Sequence, residues 1–474
     1  MDLSTPSTRA LTPTDIDNLK GAVLGPVFLP GEPGYTTEVF AWNVSVTPTP
    51  GVVVGATCAA DVAAVVRWAG QRGLAVGVQA TGHGVLPTTD DTVLISTKRM
   101  GELTVDPSSA TARVGAGVKW RQVIDAAAPH GLGVVCGSST DVGVVGFTVG
   151  GGVGPLSRTY GFGADNVRRI EVVTADGVVR SVDAEHDPEL FWALRGGKGN
   201  FGIVTSIEIG LIALPALFGG GIFFAAEHTA DVLDAYRRWA RALPEEMTTS
   251  VALLRLPPDP ALPEPLRGRF VVHLRVAYVG PTDIGVRLLE PMRAVAPAIL
   301  DTVGEMPFSA VDAIHQDPVD PMPSCERGVL LRELTAETIE ALLDVAGPQC
   351  DVPLAVVELR QLGGALDRMP EVPNAASGRG AAFSLFVIAP LAPELVDVAP
   401  GLVDAVVASV ASSTAEGAFV NFLGRASTPA DVLGAWAPDD RERLVRIKHV
   451  HDPTNMFRAG YALSAARCTA PVTV

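Results

Sequence analysis

Residues 142–166 read VGVVGFTVGGGVGPLSRTYGFGADN, eight glycines in an otherwise apolar stretch. A backbone so bare of side chains has two uses. It can lie close against something flat or anionic, or it can form a tight loop that serves the fold alone. Two familiar phosphate-binding patterns are missing. No GxGxxG opens a helix straight after a strand, since Gly115-Ala116-Gly117 lacks the third glycine, and no glycine loop ends in GKS or GKT. Nicotinamide dinucleotide binding and P-loop chemistry are therefore disfavoured.

Composition narrows the class further. A chain of 474 residues can bury cores for two large or about three smaller domains without disulfide or metal staples. Its net charge of −16, from 36 Lys and Arg against 52 Asp and Glu, has the wrong sign for tracking nucleic-acid phosphates. Glycine (49) and proline (37) are abundant, yet 47% of residues are hydrophobic, so the excess belongs to turns and close approaches rather than disorder. Cys58, Cys136, Cys325, Cys350 and Cys468 are scattered, odd in number and form no CxxC, which suits a reducing compartment. The opening MDLSTPSTRALTPTD lacks the basic and apolar regions of a secretory leader, so a cytoplasmic location is expected. Residues 209–226 carry no charge, but Pro215 and Gly219, Gly220 and Gly221 interrupt them. Two buried strands and a connection are expected there, with no membrane span.

The hydrophobic pattern predicts an α+β chain. Up to about residue 215, short β-branched runs alternate with amphipathic helices. One helix is predicted from an N-cap at Asp61 with Val62, Val65, Val66 and Ala69 on one face, another over 119–128. Two such units in tandem suggest a domain with two small sheets. Asp176-Gly177 marks a hairpin. Beyond, residues 270–279, 353–362, 381–390 and 417–424 read as strands of one broad antiparallel sheet with helices on one side. The expected divisions are a lead-in at 1–44, a first domain at 45–215, a second at 216–425, and a segment at 426–474 that returns to the first. The loops at 256–268 and 377–382 are expected to be mobile.

Chemistry-bearing residues are few. QATGHG (79–84) ends a strand and offers His83 between glycines, either as a ligand-reaching side chain or as a structural histidine. In VELRQLGG, Glu358 and Arg360 share a strand face, as a salt bridge or with Glu358 as a base whose pKa burial raises. His449, His451 and Asp452 sit at a helix end, and no metal site is expected of them. Neither GxSxG nor any nucleophile elbow occurs.

In order along the chain, the GH loop at His83, SSTDVGVVGFTVGGGVGPLSRTYG, FWALRGGKGNFGIVT and VNFLG…HDPTNMF resemble the berberine-bridge-enzyme-like flavoproteins of the vanillyl-alcohol-oxidase superfamily, over about residues 35–463. The resemblance implies a two-subdomain PCMH-type FAD-binding domain at 45–215 and an α+β substrate domain with a large antiparallel sheet at 216–425. It implies FAD bonded through its 8α carbon to His83, with the amides of Ala80, Thr81, Gly82 and Gly84 around the pyrophosphate. Gly150, Gly151 and Gly152 would lie along the ribityl chain and ring, where a Cβ would collide, and Gly143, Gly146 and Gly154 would extend that approach. Ile203 or Val204 would meet the adenine, and Asn455 joins the cofactor set. Val142 falls where a valine admits oxygen above the ring.

Two positions depart from the family pattern. Many relatives form a second flavin bond through a cysteine eleven residues before the triple glycine. Ser139 stands there, and Cys136 is about 10 Å away in an extended segment, so a single histidyl linkage is expected. Phe419 replaces the tyrosine of Tyr-x-Asn, and Asn421 remains as a polar contact. The implied activity is oxidation of a small organic substrate, with hydride passing to the flavin and dioxygen as the second substrate. Glu358 and Asn421 are the candidate catalytic residues. Oxygenating or oxygen-independent chemistry, and ligand binding without catalysis, stay open. Substrate identity and oligomeric state do not follow, although the low charge of the strands hints at an apolar or aromatic compound.

Overall fold

The structure, a computed structural model, describes residues 11–84, 87–424 and 428–463. The leader reading at 1–10, the 425/426 division and Cys468 lie outside the described residues. Nineteen strands are present among those described, in four sheets.

Val27–Phe28 (β1), Val52–Gly55 (β2), Ala75–Gln79 (β3) and Thr92–Ser96 (β4) form the first sheet in the order β1-β2-β4-β3, with β4 parallel to both β2 and β3. Parallel neighbours need a crossover. Helix Ala59–Gly70 supplies it, and Val62, Val65, Val66 and Ala69 are its buried stripe. That helix starts two residues before the expected cap, with Cys58 as N-cap. Asp61 instead turns its carboxylate inward, accepting from the amides of Leu24 (2.7 Å), Gly25 (3.2 Å) and Thr57 (2.9 Å). Three amides, two of them from the lead-in, outcompete a free helix end.

The second sheet contains Leu103–Asp106 (β5) and Thr111–Gly115 (β6). After the two-residue Leu132–Gly133 (β7) it continues with Val167–Val173 (β8), Val179–Val182 (β9) and Ile203–Gly210 (β10), in the antiparallel order β5-β6-β10-β8-β9. The hairpin expected at Asp176-Gly177 joins β8 to β9, with Gly177 at φ +73°. Ile212–Ala213 (β11) pairs with β7. The uncharged stretch at 209–226 is thus strand throughout its ordered parts, and no described helix is long and apolar enough to cross a membrane.

The large sheet is built from Ala216–Ala225 (β12), Met247–Arg255 (β13), Phe270–Tyr278 (β14), Ala298–Asp301 (β15), Gly304–Pro307 (β16), Ser324–Leu331 (β17), Val356–Gln361 (β18) and Phe383–Pro390 (β19). Its order is β15-β12-β14-β13-β18-β19-β17, with β16 beside β12, antiparallel throughout. Register sorts its side chains by face. Ile222, Leu274, Val251, Leu359, Leu385 and Val329 fall in one row across six strands. They meet helices such as Thr229–Ala240, which buries Val232, Leu233, Tyr236 and Trp239. Each such fully buried side chain contributes roughly 1.5–3 kcal/mol. The opposite face is polar and looks toward the glycine-rich segment.

Two expectations change. Residues 417–424 add no strand: Gly417 (φ +81°) and Gly424 (φ +72°) bend the chain, and a 3-10 turn at Val420–Phe422 swings Asn421 away from the sheet. The loops expected to be mobile are tied in. Arg379 donates to Asp165 (2.6 Å) and to the Arg368 carbonyl (2.7 Å), and Leu266 of the other loop is buried.

Arginines fasten the glycine-rich segment and its neighbours to the large-sheet side. Arg158, 6% exposed, donates to the carbonyls of Met247 (2.8 Å), Pro244 (3.2 Å) and Leu362, and Arg195 to those of Val372 (3.1 Å) and Pro373 (2.6 Å). After helix Pro438–His451 the chain comes back to β3, where the Met456 carbonyl accepts from the Val76 amide at 3.0 Å.

Candidate functional site

The loop after β3 is held from behind. The Gln79 side-chain amide donates to the carbonyls of Val39 (3.1 Å) and Phe40 (3.0 Å), and the Trp42 amide to the Thr81 carbonyl (2.9 Å). Gly82 has φ +78°, and a Cβ there would lie 2.6 Å from the Ala41 Cα, so only glycine suits the position. His83 stacks on Trp42 with ring centroids 4.5 Å apart. Its Nδ1 is 2.9 Å from the Thr81 hydroxyl, and its buried Nε2 has no hydrogen-bond partner. Burial pushes the imidazole down to about 4, so it is neutral near pH 7 and has a lone pair to give.

The glycine segment meets this loop. A Cβ on Gly143 would stand 3.7 Å from the side chains of Ala80 and Thr81, while Gly84 and Gly146 face open space. A small cavity follows, walled by Phe147, Gly150, Gly152, Phe419, Asn421 and Phe422. These glycines also have a reason within the chain itself. Added Cβ atoms would strike protein groups: Asn421 from Gly150, the Phe147 ring from Gly152, and the Cys136 carbonyl from Gly154. Gly151, at φ +98°, would meet Ala376 at 3.5 Å. Packing within the chain already demands most of these glycines.

The other cofactor-set residues are spread more widely. Ser139 is partly buried, its hydroxyl accepting from the Asp141 amide at 3.4 Å, and Val142 packs against the core. Cys136 is fully buried, which pushes its thiol up to about 12. Ile203 and Val204 pair with β8 just before a bulge. Asn455 lies beyond the last helix at φ +53° with its buried Oδ1 unpartnered. The Asp452 carboxylate takes Lys448 (2.8 Å) and the amides of Met456 (2.7 Å) and Phe457 (2.9 Å).

Lys198 escaped the sequence reading. It sits at φ +59° in the GGKGN turn, donating to Asn421 Oδ1 and to the Gly146 carbonyl (3.0 Å), and burial pushes its ammonium down to about 8. Asn421 Nδ2 donates to the Phe147 carbonyl at 2.8 Å. The two residues close one end of the cavity over Gly150. A lysine in a glycine turn gives no sequence signal beyond its oddity there.

The polar face of the large sheet corrects an expectation. Glu358, 3% exposed, is clamped by Arg275 (2.9 Å) and Arg360 (3.0 Å), with His315 Nε2 at 3.7 Å. The two guanidinium groups outweigh desolvation and hold the carboxyl well below its ordinary range. Glu358 is therefore the anion of a buried salt bridge to both arginines, the first of the two readings its shared strand face allowed. Arg275 also donates through Nε to His273 (3.2 Å), whose ring stacks on Phe223 at 3.9 Å. Sequence reading found Glu358 and Arg360 and missed Arg275, His273 and His315, whose strand and loop lie about 45 to 85 residues away.

These groups fit an FAD: open-faced glycines at 84 and 146, an unpartnered imidazole nitrogen in the 79–84 loop, and a cavity over Gly150 and Gly152. Comparison agrees. Residues 50–183 match the model of the FAD binding domain family. The chain is 28% identical over 320 residues to the (R)-6-hydroxynicotine oxidase of Paenarthrobacter nicotinovorans, covering 66% of each. Across several curated relatives the matched part spans only 34% to 66% of their length. The crystal structure of 6-hydroxy-D-nicotine oxidase from Arthrobacter nicotinovorans superposes with a TM-score of 0.77 at 26% identity, over 93% of this chain and 98% of that one. The berberine-bridge-enzyme-like protein 1 of Physcomitrella patens shares the fold, with a TM-score of 0.80 at 19% identity over 94% and 97% of the two chains. The chain thus carries an FAD binding domain over residues 50–183 and shares the fold of the 6-hydroxy-D-nicotine oxidase and of a berberine-bridge-enzyme-like protein.

Proposed function

We propose that the protein is an oxidase of small organic molecules whose FAD is bonded to His83 alone, with residues 45–215 holding the cofactor and 216–425 the substrate. The observation that carries this reading is the meeting of two distant motifs. The side chains of Ala80 and Thr81 in the 79–84 loop pack on Gly143, and the same loop carries a neutral imidazole whose buried Nε2 has no partner. When bound, FAD would supply the hydride acceptor and its reoxidation by dioxygen.

The chain's residues then have separate tasks. His83 anchors the cofactor, and Ala80, Thr81, Gly82 and Gly84 offer backbone amides to its phosphates. Gly143, Gly146, Gly150, Gly151 and Gly152 run along the ring, Gly146 toward open space and the others also packed on protein groups, with Gly154 against the Cys136 carbonyl. Val142 borders the oxygen-accessible side. Ile203, Val204 and Asn455 belong to the adenine side. Ser139 forms no bond, and Cys136 is too buried to form one. Lys198 and Asn421 place a cation and an amide at the cavity's end, where they favour negative charge developing nearby. Glu358 keeps Arg275 and Arg360 aligned on the substrate side.

Acid-precipitated, washed protein should stay yellow, its flavopeptide should contain His83 and no residue from 134–140, and photoreduced protein should release hydrogen peroxide in air. His83→Ala should give a colourless pellet. A colourless wild-type pellet removes the covalent bond, and reoxidation without peroxide removes the oxidase reading.

A further inference from the structure

The polar face of the large sheet holds more donors than it can satisfy. Pairing across the strands puts Arg275 opposite Ser250, Ser250 opposite Arg360, and Arg360 opposite Ser384. One rank along, His273, Ala252, Glu358 and Phe386 form a second row. The polar members of both rows are buried, and polar atoms in them and beside them lack partners: Arg360 Nε, His273 Nε2 and the hydroxyls of Ser250 and Ser384 within the rows, and the Thr248 hydroxyl and His315 Nδ1 next to them. Unsatisfied buried donors in such number call for an acceptor.

Thr248, Ser250, Arg275, His315 and Arg360 share the wall of a small cavity that Gly154 and Pro155 also line. Charge decides what suits it. Two guanidinium groups face one carboxylate, Glu358, and the next carboxylate felt there, Asp317, acts on His315 through space. The cluster keeps a positive excess. Arg360 also bridges to the cavity over Gly150. It donates to the Val153 carbonyl at 3.4 Å, and its guanidinium lies 5.6 Å from the Phe422 ring centroid. Phe419 and Phe386 flank that ring at 5.9 and 4.6 Å.

We propose that this cavity receives the carboxylate of an acidic substrate, whose apolar or aromatic body runs past Arg360 toward Phe419 and Phe422. The assignment rests on the oxidase reading above and gives it a substrate class. A carboxylate takes the charge-assisted bonds that Arg360 Nε and the two hydroxyls offer, and it neutralises the excess charge. A neutral amide or alcohol of the same shape leaves that excess unpaired.

The flavin-loaded protein is titrated with benzoate, benzamide and benzyl alcohol, following heat release and the flavin absorbance together. Benzoate should saturate and bind roughly 10- to 100-fold more tightly than the two neutral probes. Ser250→Ala and Arg360→Gln should weaken benzoate while leaving benzamide unchanged. The wild-type comparison needs no variant to fold. Equal binding of benzoate and benzamide, or no saturable benzoate binding at all, overturns the assignment. Retained flavin and peroxide release on the same sample separate that failure from failure of the oxidase reading, because neither depends on carboxylate capture.

Discussion

The two sides of the candidate site are made of different material. On the side proposed for the cofactor the polar surface is backbone: glycines from 143 to 154 and the loop amides from 80 to 84, with His83 as the side chain proposed to react. On the substrate side it is side chains, Arg275, Arg360, Glu358, Ser250 and His315, set out across strands of one sheet. A backbone surface tolerates little change in residue type but needs no partner to complete it. A side-chain surface of opposed charges works only when every member is present. The first should fail through steric contact, the second through loss of balance.

Removing the anion at the centre of the substrate side tests that contrast most strongly. Glu358→Gln strands two buried guanidinium groups and should cost about 3–5 kcal/mol of stability. Flavin content should hold, and any slowing of anaerobic flavin reduction should follow the loss of fold. A stable variant whose reduction alone falls 10²–10⁴-fold, as for a lost base, would restore Glu358 to that role.

A methyl group probes the backbone side. Gly154→Ala drives a Cβ onto the Cys136 carbonyl and should cost roughly 1–3 kcal/mol, whereas Gly146→Ala, facing open space, should change stability by only about 0.5 kcal/mol. If Gly146→Ala instead weakens FAD retention, the cofactor lies against that residue. Denaturant melts with flavin absorbance distinguish the two outcomes.

Acid should expose the charge balance of the substrate side. Glu358 is held below its ordinary value, so its stabilisation is complete above about 4.5 and is lost as pH falls further. Burial holds His273 and His315 below 6.5, so the neutral rings are favoured and stability drains as pH falls under that value. Both effects have one sign. The melting temperature should decline from pH 7 toward pH 4, and His273→Phe, which retains a ring over Phe223, should flatten the decline. A flat wild-type profile would show that these groups are not buried as described.

The smallest effect expected is at Val142. One added methylene in Val142→Ile should slow reoxidation of photoreduced flavin without changing flavin content, and equal rates would remove its oxygen-gating role.

Much of the cofactor side was legible because its information is local. The 79–84 loop, the glycine run, the Asp176-Gly177 hairpin and the crossover helix each declare themselves within a dozen residues. Even there, tertiary contacts reassigned details: Asp61 serves the lead-in amides, and Gly150, Gly152 and Gly154 are demanded by Asn421, Phe147 and Cys136. The 417–424 segment had a strand's composition, yet its two positive-φ glycines bend it into the cleft.

By itself, then, the amino-acid sequence determined the fold family, the His83 loop and the bare glycine strip, because backbone freedom and short-range periodicity are properties of neighbouring residues. Only the tertiary structure decided the charge of the substrate side. Whether Glu358 is a base or an anion between two arginines depends on Arg275, 83 positions away in the chain and 2.9 Å away in the sheet. A pairing of that kind is set by strand order and register, and electrostatic energy follows distance in space rather than distance along the chain.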